Sequence, residues 1–202
     1  MKRVKEILPH DLMYDEVYYR EQVDGPAVIA AGVIAESIVS RFRPAKVIDI
    51  GCGTGAILSA FRDLGCEVTG LEYSEAALTF CRARNLDVKK FDIEKDVLED
   101  APQYDVTIST EVAEHLPERM ADRFVNLVSS FSPTIVFTAA FPGQGGADHV
   151  NEQPQSYWIE KFQRRGFELD VELSETWKLN WKAAGIAFWY WNNVMVFRRR
   201  AA

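Results

Sequence analysis

Cysteine and histidine are both scarce in this chain, with three of each among 202 residues. Cys52, Cys66 and Cys81 form no C-x-x-C pair, so neither a zinc ribbon nor a disulfide framework is indicated. That usage fits a reduced, cytoplasmic compartment. Long apolar runs are missing as well. The longest hold about ten residues and are broken by glycine or charge, which predicts that no segment crosses a bilayer. The opening Met1-Lys2-Arg3-Val4-Lys5-Glu6 is basic but lacks the apolar core of a signal peptide. Repeats, linkers and biased tracts are absent too, and the length predicts a single domain over residues 1–202. Positive charge is in deficit. A formal net charge of −7 weighs against broad nucleic-acid binding, which needs clustered Lys and Arg. The short basic clusters (Arg41/Arg43/Lys46, Lys89/Lys90, Arg164/Arg165, Arg198/Arg199/Arg200) read as solvated ends of apolar segments.

What is present is alternation. Residues 1–25 are polar with Tyr14, Tyr18 and Tyr19 interspersed, and they are expected to form a mobile cover segment over the site. Pro26 then opens a stretch whose apolar residues, from Val28 to Phe42, fall at helical spacing. Strands are predicted at 47–50, 66–71, 87–91, 105–109, 134–138, 167–171 and 189–197. Helices are predicted at 55–64, 117–131 and 154–165, with Ser74 capping another. Ile57, Leu58, Phe61 and Leu64 are expected on one buried face. This order implies an α/β fold with a mostly parallel sheet covered on both faces. Such sheets bind ligands at the carboxyl ends of their strands.

The motifs fall at those ends. Val47-Ile48-Asp49-Ile50 runs into Gly51-Cys52-Gly53-Thr54-Gly55, where glycines let backbone N–H groups approach a ligand. Asp49 ends an otherwise apolar strand, and a buried carboxylate asks for a positive partner. The ammonium of an amino-acid-like cofactor would serve. Glu72 ends the next strand, 21 residues after Gly51, where a carboxylate can accept two ribose hydroxyls. Tyr73 adjoins it. Asp92 can take an adenine amino hydrogen while Ile93 packs on the ring. Each acid also has a plainer reading as a solvated strand end or turn residue. Thr110-Glu111-Val112-Ala113-Glu114-His115-Leu116-Pro117 leaves the fourth strand.

Taken in order over roughly residues 40–140, these motifs resemble class I S-adenosylmethionine-dependent methyltransferases. Asp49 to Gly55 is similar to the family's D-x-G-x-G-x-G, and Glu111 to Leu116 to the E-V-x-E-H-L of one branch. That branch includes ubiquinone-type O-methyltransferases and small-RNA 2′-O-methyltransferases. The resemblance implies a Rossmann-like, doubly wound seven-stranded sheet whose last strand, here 189–197, is antiparallel. It implies S-adenosylmethionine held by Asp49, Gly51, Cys52, Gly53, Gly55, Glu72, Tyr73, Asp92, Ile93 and Glu111. The acidic balance favours a small-molecule acceptor, methylated on oxygen or nitrogen, over RNA, and no membrane partner is expected.

The reaction side rests on Glu111, His115 and His149. His149 follows the glycine-rich stretch 143–146, and an imidazole needs only a small adjustment to act as a base near neutral pH. Asp148 and Asn151 are close enough in sequence to orient it. No metal is assigned. A rival reading makes Glu111, Glu114, His115 and His149 a divalent-metal set, as the resemblance to small-RNA methyltransferases implies. A second alternative is an NAD(P) oxidoreductase, from Gly51-x-Gly53-x-x-Ala56 and a Tyr157-x-x-x-Lys161 spacing. It leaves Asp49 without a role. A non-catalytic cofactor-binding protein is the third. Trp177, Trp181, Phe188, Trp189, Tyr190 and Trp191 are expected mostly in the core, with one or two lining an acceptor pocket.

Overall fold

A computed structural model describes residues 15–98 and 103–200. His10, Tyr14 and most of the anticipated cover segment lie outside the described residues. Helix α1, Glu16–Phe42, comes first and contains one π-helical stretch, Tyr19–Asp24. It is followed by β1 (Lys46–Ile50), α2 (Ala56–Asp63), β2 (Glu67–Glu72), α3 (Glu75–Ala83), β3 (Val88–Lys90) and β4 (Val106–Thr110). After two 3₁₀ turns come α4 (Ala121–Ser130), β5 (Thr134–Thr138), α5 (Gln155–Arg164), β6 (Phe167–Leu169), α6 (Val171–Ala183), α7 (Phe188–Asn193) and β7 (Met195–Arg199).

The seven strands form one sheet in the order β3-β2-β1-β4-β5-β7-β6. All pairs from β3 to β5 are parallel, and β7 is antiparallel to both neighbours. Both faces are covered, so successive strand residues serve opposite cores. Ile48, Ile135, Phe137 and Phe197 pack with Phe124 and Val128 of α4 and Trp158 and Phe162 of α5. Val47, Val106, Val136 and Val196 pack with Ala30, Ile34 and Ile38 of α1, Phe61 of α2, Trp177 and Trp181 of α6 and Tyr190 of α7. Trp158 is thus core and Tyr157 packs against it, and neither Tyr157 nor Lys161 lines the cavity described below.

Four expectations need correction. The start of the segment read as strand, 189–197, is not strand: Phe188–Asn193 is a helix, and β7 begins only at Met195. Helical spacing sends Tyr190 into the core and Asn193, three residues on, to a buried position of the same face. Strand β6 stops at Leu169 because Asp170 caps α6, its side chain accepting from the Leu173 N–H at 3.1 Å. Leu64 lies past the end of α2 and is 43% exposed. Finally, α1 includes an 18-residue window of mean hydropathy 1.5, long and apolar enough to cross a membrane by composition. In this fold, however, its Ala30, Ile34, Ala35 and Ile38 are buried against the sheet. Arg198, Arg199 and Arg200 are exposed, as expected of solvated ends, with Arg198 and Arg199 lying over the rings of Phe42 and Phe167.

Candidate active site

The carboxyl ends of β1, β2, β3, β4 and β5 open on one side of the sheet, into a cavity of about 610 Å³. Its floor is the turn after β1. Gly51 has φ +75°, and a Cβ there would stand 2.5 Å from Val112 Cγ2, so only glycine fits between the two strand ends. Its N–H, and that of Cys52, donate to the Leu71 carbonyl at 2.8 and 3.2 Å, which fastens the turn to β2. Cys52 and Gly53 line the cavity, while Gly55, which does not, is the N-cap of α2. Burial and a contact with the Cys81 thiol push the Cys52 thiol well up, Cys81 first, so it is a neutral wall.

Glu72, at the end of β2, is buried and its carboxylate binds the loop directly. One oxygen accepts from the Gly53 N–H at 2.8 Å and the other from the Ser74 N–H at 2.7 Å. Burial raises its carboxyl above the ordinary range despite these donors. Asp49 is 1% exposed and does not line the cavity; it stands behind the glycine turn. Its Oδ1 has no partner among the described residues, and burial, then the Glu72 charge, hold it well above the ordinary carboxylate range. Among the described residues no cation pairs with either carboxylate, and such a pair could receive a positively charged ligand. A cationic, ribose-bearing cofactor fits that donor set.

The other residues expected on the cofactor side are brought together as well. Tyr73, Asp92 and Ile93 line the same cavity. Asp92 is more engaged than its sequence position suggested: Oδ2 pairs with Lys95 at 2.8 Å and Oδ1 accepts from the Glu94 N–H at 2.9 Å. Burial raises its carboxyl, but these partners outweigh that and hold it below the ordinary value. The opposite wall is the start of α1, where Tyr18, Tyr19 and Val23 face the cavity. Arg84 ties this wall to the loop, bonding Asp24 at 2.7 Å and the Thr54 carbonyl at 3.2 Å.

Past β4 lie the residues expected on the reaction side. Glu111 adopts φ +54° and is held on three sides. Its N–H donates to Thr138 Oγ1 at 3.0 Å, and its carboxylate accepts from Gln144 at 2.8 Å and Asn193 at 3.1 Å. Glu114 is fully buried, and neither oxygen has a hydrogen-bond partner among the described residues. Burial, then the Glu111 charge beside it, push Glu114 well up. The rings of His115 and His149 meet edge to face at 5.0 Å. Ligand atoms of Glu114, His115 and His149 lie within 4.8 Å of one another.

Sequence reasoning missed three contributors. His149 Nδ1 is 2.9 Å from Glu152 Oε1, so Glu152 orients the ring, not Asp148 or Asn151. Asn151 instead donates to the Ala113 carbonyl at 3.4 Å. Asn193 and Gln144 hold Glu111, bonding each other at 2.8 Å. A carboxylate three residues after His149 was the legible signal for Glu152. Asn193 had none, because it lay in a stretch read as strand. Of the late aromatics, Trp189 and Tyr190 line the cavity, while Trp177 and Trp181 stack in the core.

Comparison with known proteins agrees with this geometry. Residues 48–133 match the family model of a methyltransferase domain. The ubiquinone biosynthesis O-methyltransferase of Bordetella avium (strain 197N) is 28% identical over 89 residues, 41% of this chain and 37% of that protein. The match thus spans little more than a third of that relative's length. Among solved structures, the sugar N-methyltransferase KedS8 of Streptoalloteichus sp ATCC 53650 is similar in fold, with a TM-score of 0.67, 14% identity and 92% of each chain covered. The magnesium protoporphyrin IX methyltransferase ChlM of Synechocystis PCC 6803, with bound SAH, gives 0.65 at 14% identity, over 87% of this chain and 84% of that one. Residues 48–133 thus match a methyltransferase domain, and the glycine turn, the strand-end acids and the seven-stranded sheet with its one reversed strand are similar to those of class I S-adenosylmethionine-dependent methyltransferases.

Proposed function

We propose that this chain transfers the methyl group of S-adenosylmethionine to an oxygen or nitrogen of a small-molecule acceptor. The observation that carries the reading is a single cavity walled by Glu72 and Asp92 at one end and by His115 and His149 at the other. Glu72 keeps lone pairs beyond the two taken by Gly53 and Ser74, and these accept the ribose hydroxyls. Ile93 packs against the base and Asp92 reads its amino edge. Asp49 lies behind the turn that holds the amino-acid end, where a bound ammonium would favour its ionised form. When bound, the cofactor supplies a methyl group already activated by the sulfonium charge.

The protein's task is therefore to orient the acceptor and exclude water. Orientation of this kind contributes about 7–11 kcal/mol in well-aligned systems. Tyr18, Tyr19, Trp189 and Tyr190 supply apolar walls with polar tips around the open part of the cavity. We assign His149 the removal of the acceptor proton, with His115 as its neighbour and Glu111 as a fixed wall between the cofactor end and the histidines. The names of the similar proteins, which include sugar and ubiquinone-pathway methyltransferases, support a small-molecule acceptor.

A second reading is favoured by one observation, the two unpartnered oxygens of Glu114 beside His115 and His149. Those three residues suit a divalent cation. The test is transfer of labelled methyl from S-adenosylmethionine to a panel of amines, phenols and sugars. If His149 is a base, His149→Ala lowers kcat by about 10²–10⁴-fold and chelators change nothing. A metal site predicts loss on chelation and recovery with added divalent ions. Wild-type turnover by His149→Ala on its best acceptor would remove both roles.

A further inference from the structure

The loop after β5 folds around one carboxylate. Glu152 Oε2 accepts from the Gly143 N–H at 2.7 Å, while Oε1 accepts from the Gly145 N–H at 2.7 Å and lies 2.9 Å from His149 Nδ1. The far end of the loop is pinned separately, the N–H groups of Val150 and Asn151 donating to the Glu114 carbonyl at 2.9 and 3.0 Å. An ionised carboxylate is only an acceptor, so the hydrogen in the Glu152–His149 contact belongs to Nδ1. In a neutral ring that leaves Nε2 bare. Both Glu152 oxygens already accept from backbone N–H groups, so the carboxylate sits among donors, as an acceptor-only group requires.

The other side of the ring is fixed by an absence. A Cβ on Gly146 would stand 2.3 Å from His149 Nε2, 2.5 Å from Cε1 and 2.8 Å from Cδ2. The imidazole occupies the space that any side chain at 146 would need. It cannot swing aside without leaving Glu152, because its opposite nitrogen is the one in that 2.9 Å contact.

We infer that Glu152 and Gly146 are positioning residues for His149, setting its tautomer and its ring orientation so that bare Nε2 is the nitrogen offered to a ligand. Neither the base nor the metal reading of His149 requires a different tautomer, and the inference rests on His149 being the reacting group in one of them. Glu152 itself does not line the cavity, so its effect is exerted through the ring.

The experiment is a long-range ¹H–¹⁵N spectrum of uniformly labelled protein at alkaline pH, which reads the protonation of each ring nitrogen. Only three histidines are present, so His149→Ala assigns the signals. The wild type is expected to show Nδ1 protonated and Nε2 bare at His149. Glu152→Ala is expected to give a mixture of tautomers. Gly146→Ala is expected to lose the single-tautomer pattern by displacing the ring while leaving the carboxylate in place. Affinity for S-adenosylhomocysteine should be unchanged in both variants, and kcat for methyl transfer should fall about 10–100-fold, the range found for groups that orient a metal-ligating imidazole. A wild-type ring carrying its proton on Nε2, or a wild-type pattern in Glu152→Ala, overturns the inference. The wild-type spectrum decides even if a variant does not fold. Since the spectrum uses neither cofactor nor acceptor, its result is separate from any failure of methyl transfer.

Discussion

Replacing Gly51 with alanine isolates the constraint that shapes the cofactor end of the cavity. Two costs combine. A side chain in the left-handed region costs about 1–2 kcal/mol, and Gly51 sits at φ +75°. The new Cβ would also lie 2.5 Å from Val112 Cγ2 and 3.0 Å from Cγ1. Val112 is β-branched and packs against the core, so it yields little, and overpacking of this kind costs about 1–3 kcal/mol. The sum is about 2–5 kcal/mol. Gly65 is the control: its φ is +90° but nothing lies within 4 Å of its would-be Cβ, so Gly65→Ala should lose only the conformational part, about 1–2 kcal/mol. Urea unfolding with unchanged m-values gives both losses. Val112→Ala in the Gly51→Ala background should recover part of the steric cost, a coupling of about 0.5–3 kcal/mol. Equal losses for the two glycines, with no coupling to Val112, would refute the close-approach argument and leave only backbone strain.

Two further outcomes follow from the buried acids. Glu72→Ala leaves the N–H groups of Gly53 and Ser74 without their carboxylate, so beyond weakening cofactor binding it should cost about 1–3 kcal/mol for each donor not rescued by water, read by urea unfolding. Glu114 titrates well above an unfolded glutamate, because of burial and Glu111, so the folded state holds a proton that the unfolded chain releases. The stability it contributes is complete below the ordinary glutamate range and is lost as pH rises through that range toward its folded value. Glu114→Gln should therefore become progressively more stable relative to wild type as pH rises from about 4. A difference that is flat or shrinks with pH contradicts the assignment.

The sheet and the lining of one end of the cavity were legible because each rests on local chemistry. Buried apolar runs such as Val47–Ile50 followed by glycine admit few other structures, and Glu72 and Asp92 followed from their places at strand ends. The carboxyl-end half after β5 was harder. Helix α6 buries only Ser174, Trp177 and Trp181, a thin stripe in an otherwise polar segment. Its neighbour α7 is rich in aromatics that favour strands in isolation, and tertiary burial of Tyr190 and Asn193 overrides that preference. Contacts such as Asn193 to Glu111, 82 residues apart, leave no trace in spacing. Glu152 was visible in the loop, but its partners are two backbone N–H groups and a ring nitrogen, and no residue pattern announces them.

Calorimetric titration of the protein with S-adenosylhomocysteine, run beside NAD and repeated on Glu72→Ala, tests the central claim most directly. The account predicts one S-adenosylhomocysteine bound per chain, no comparable binding of NAD, and a clear loss of affinity in Glu72→Ala under conditions where that variant is folded. No binding of S-adenosylhomocysteine by the wild type, or equal affinity in a folded Glu72→Ala, would contradict it.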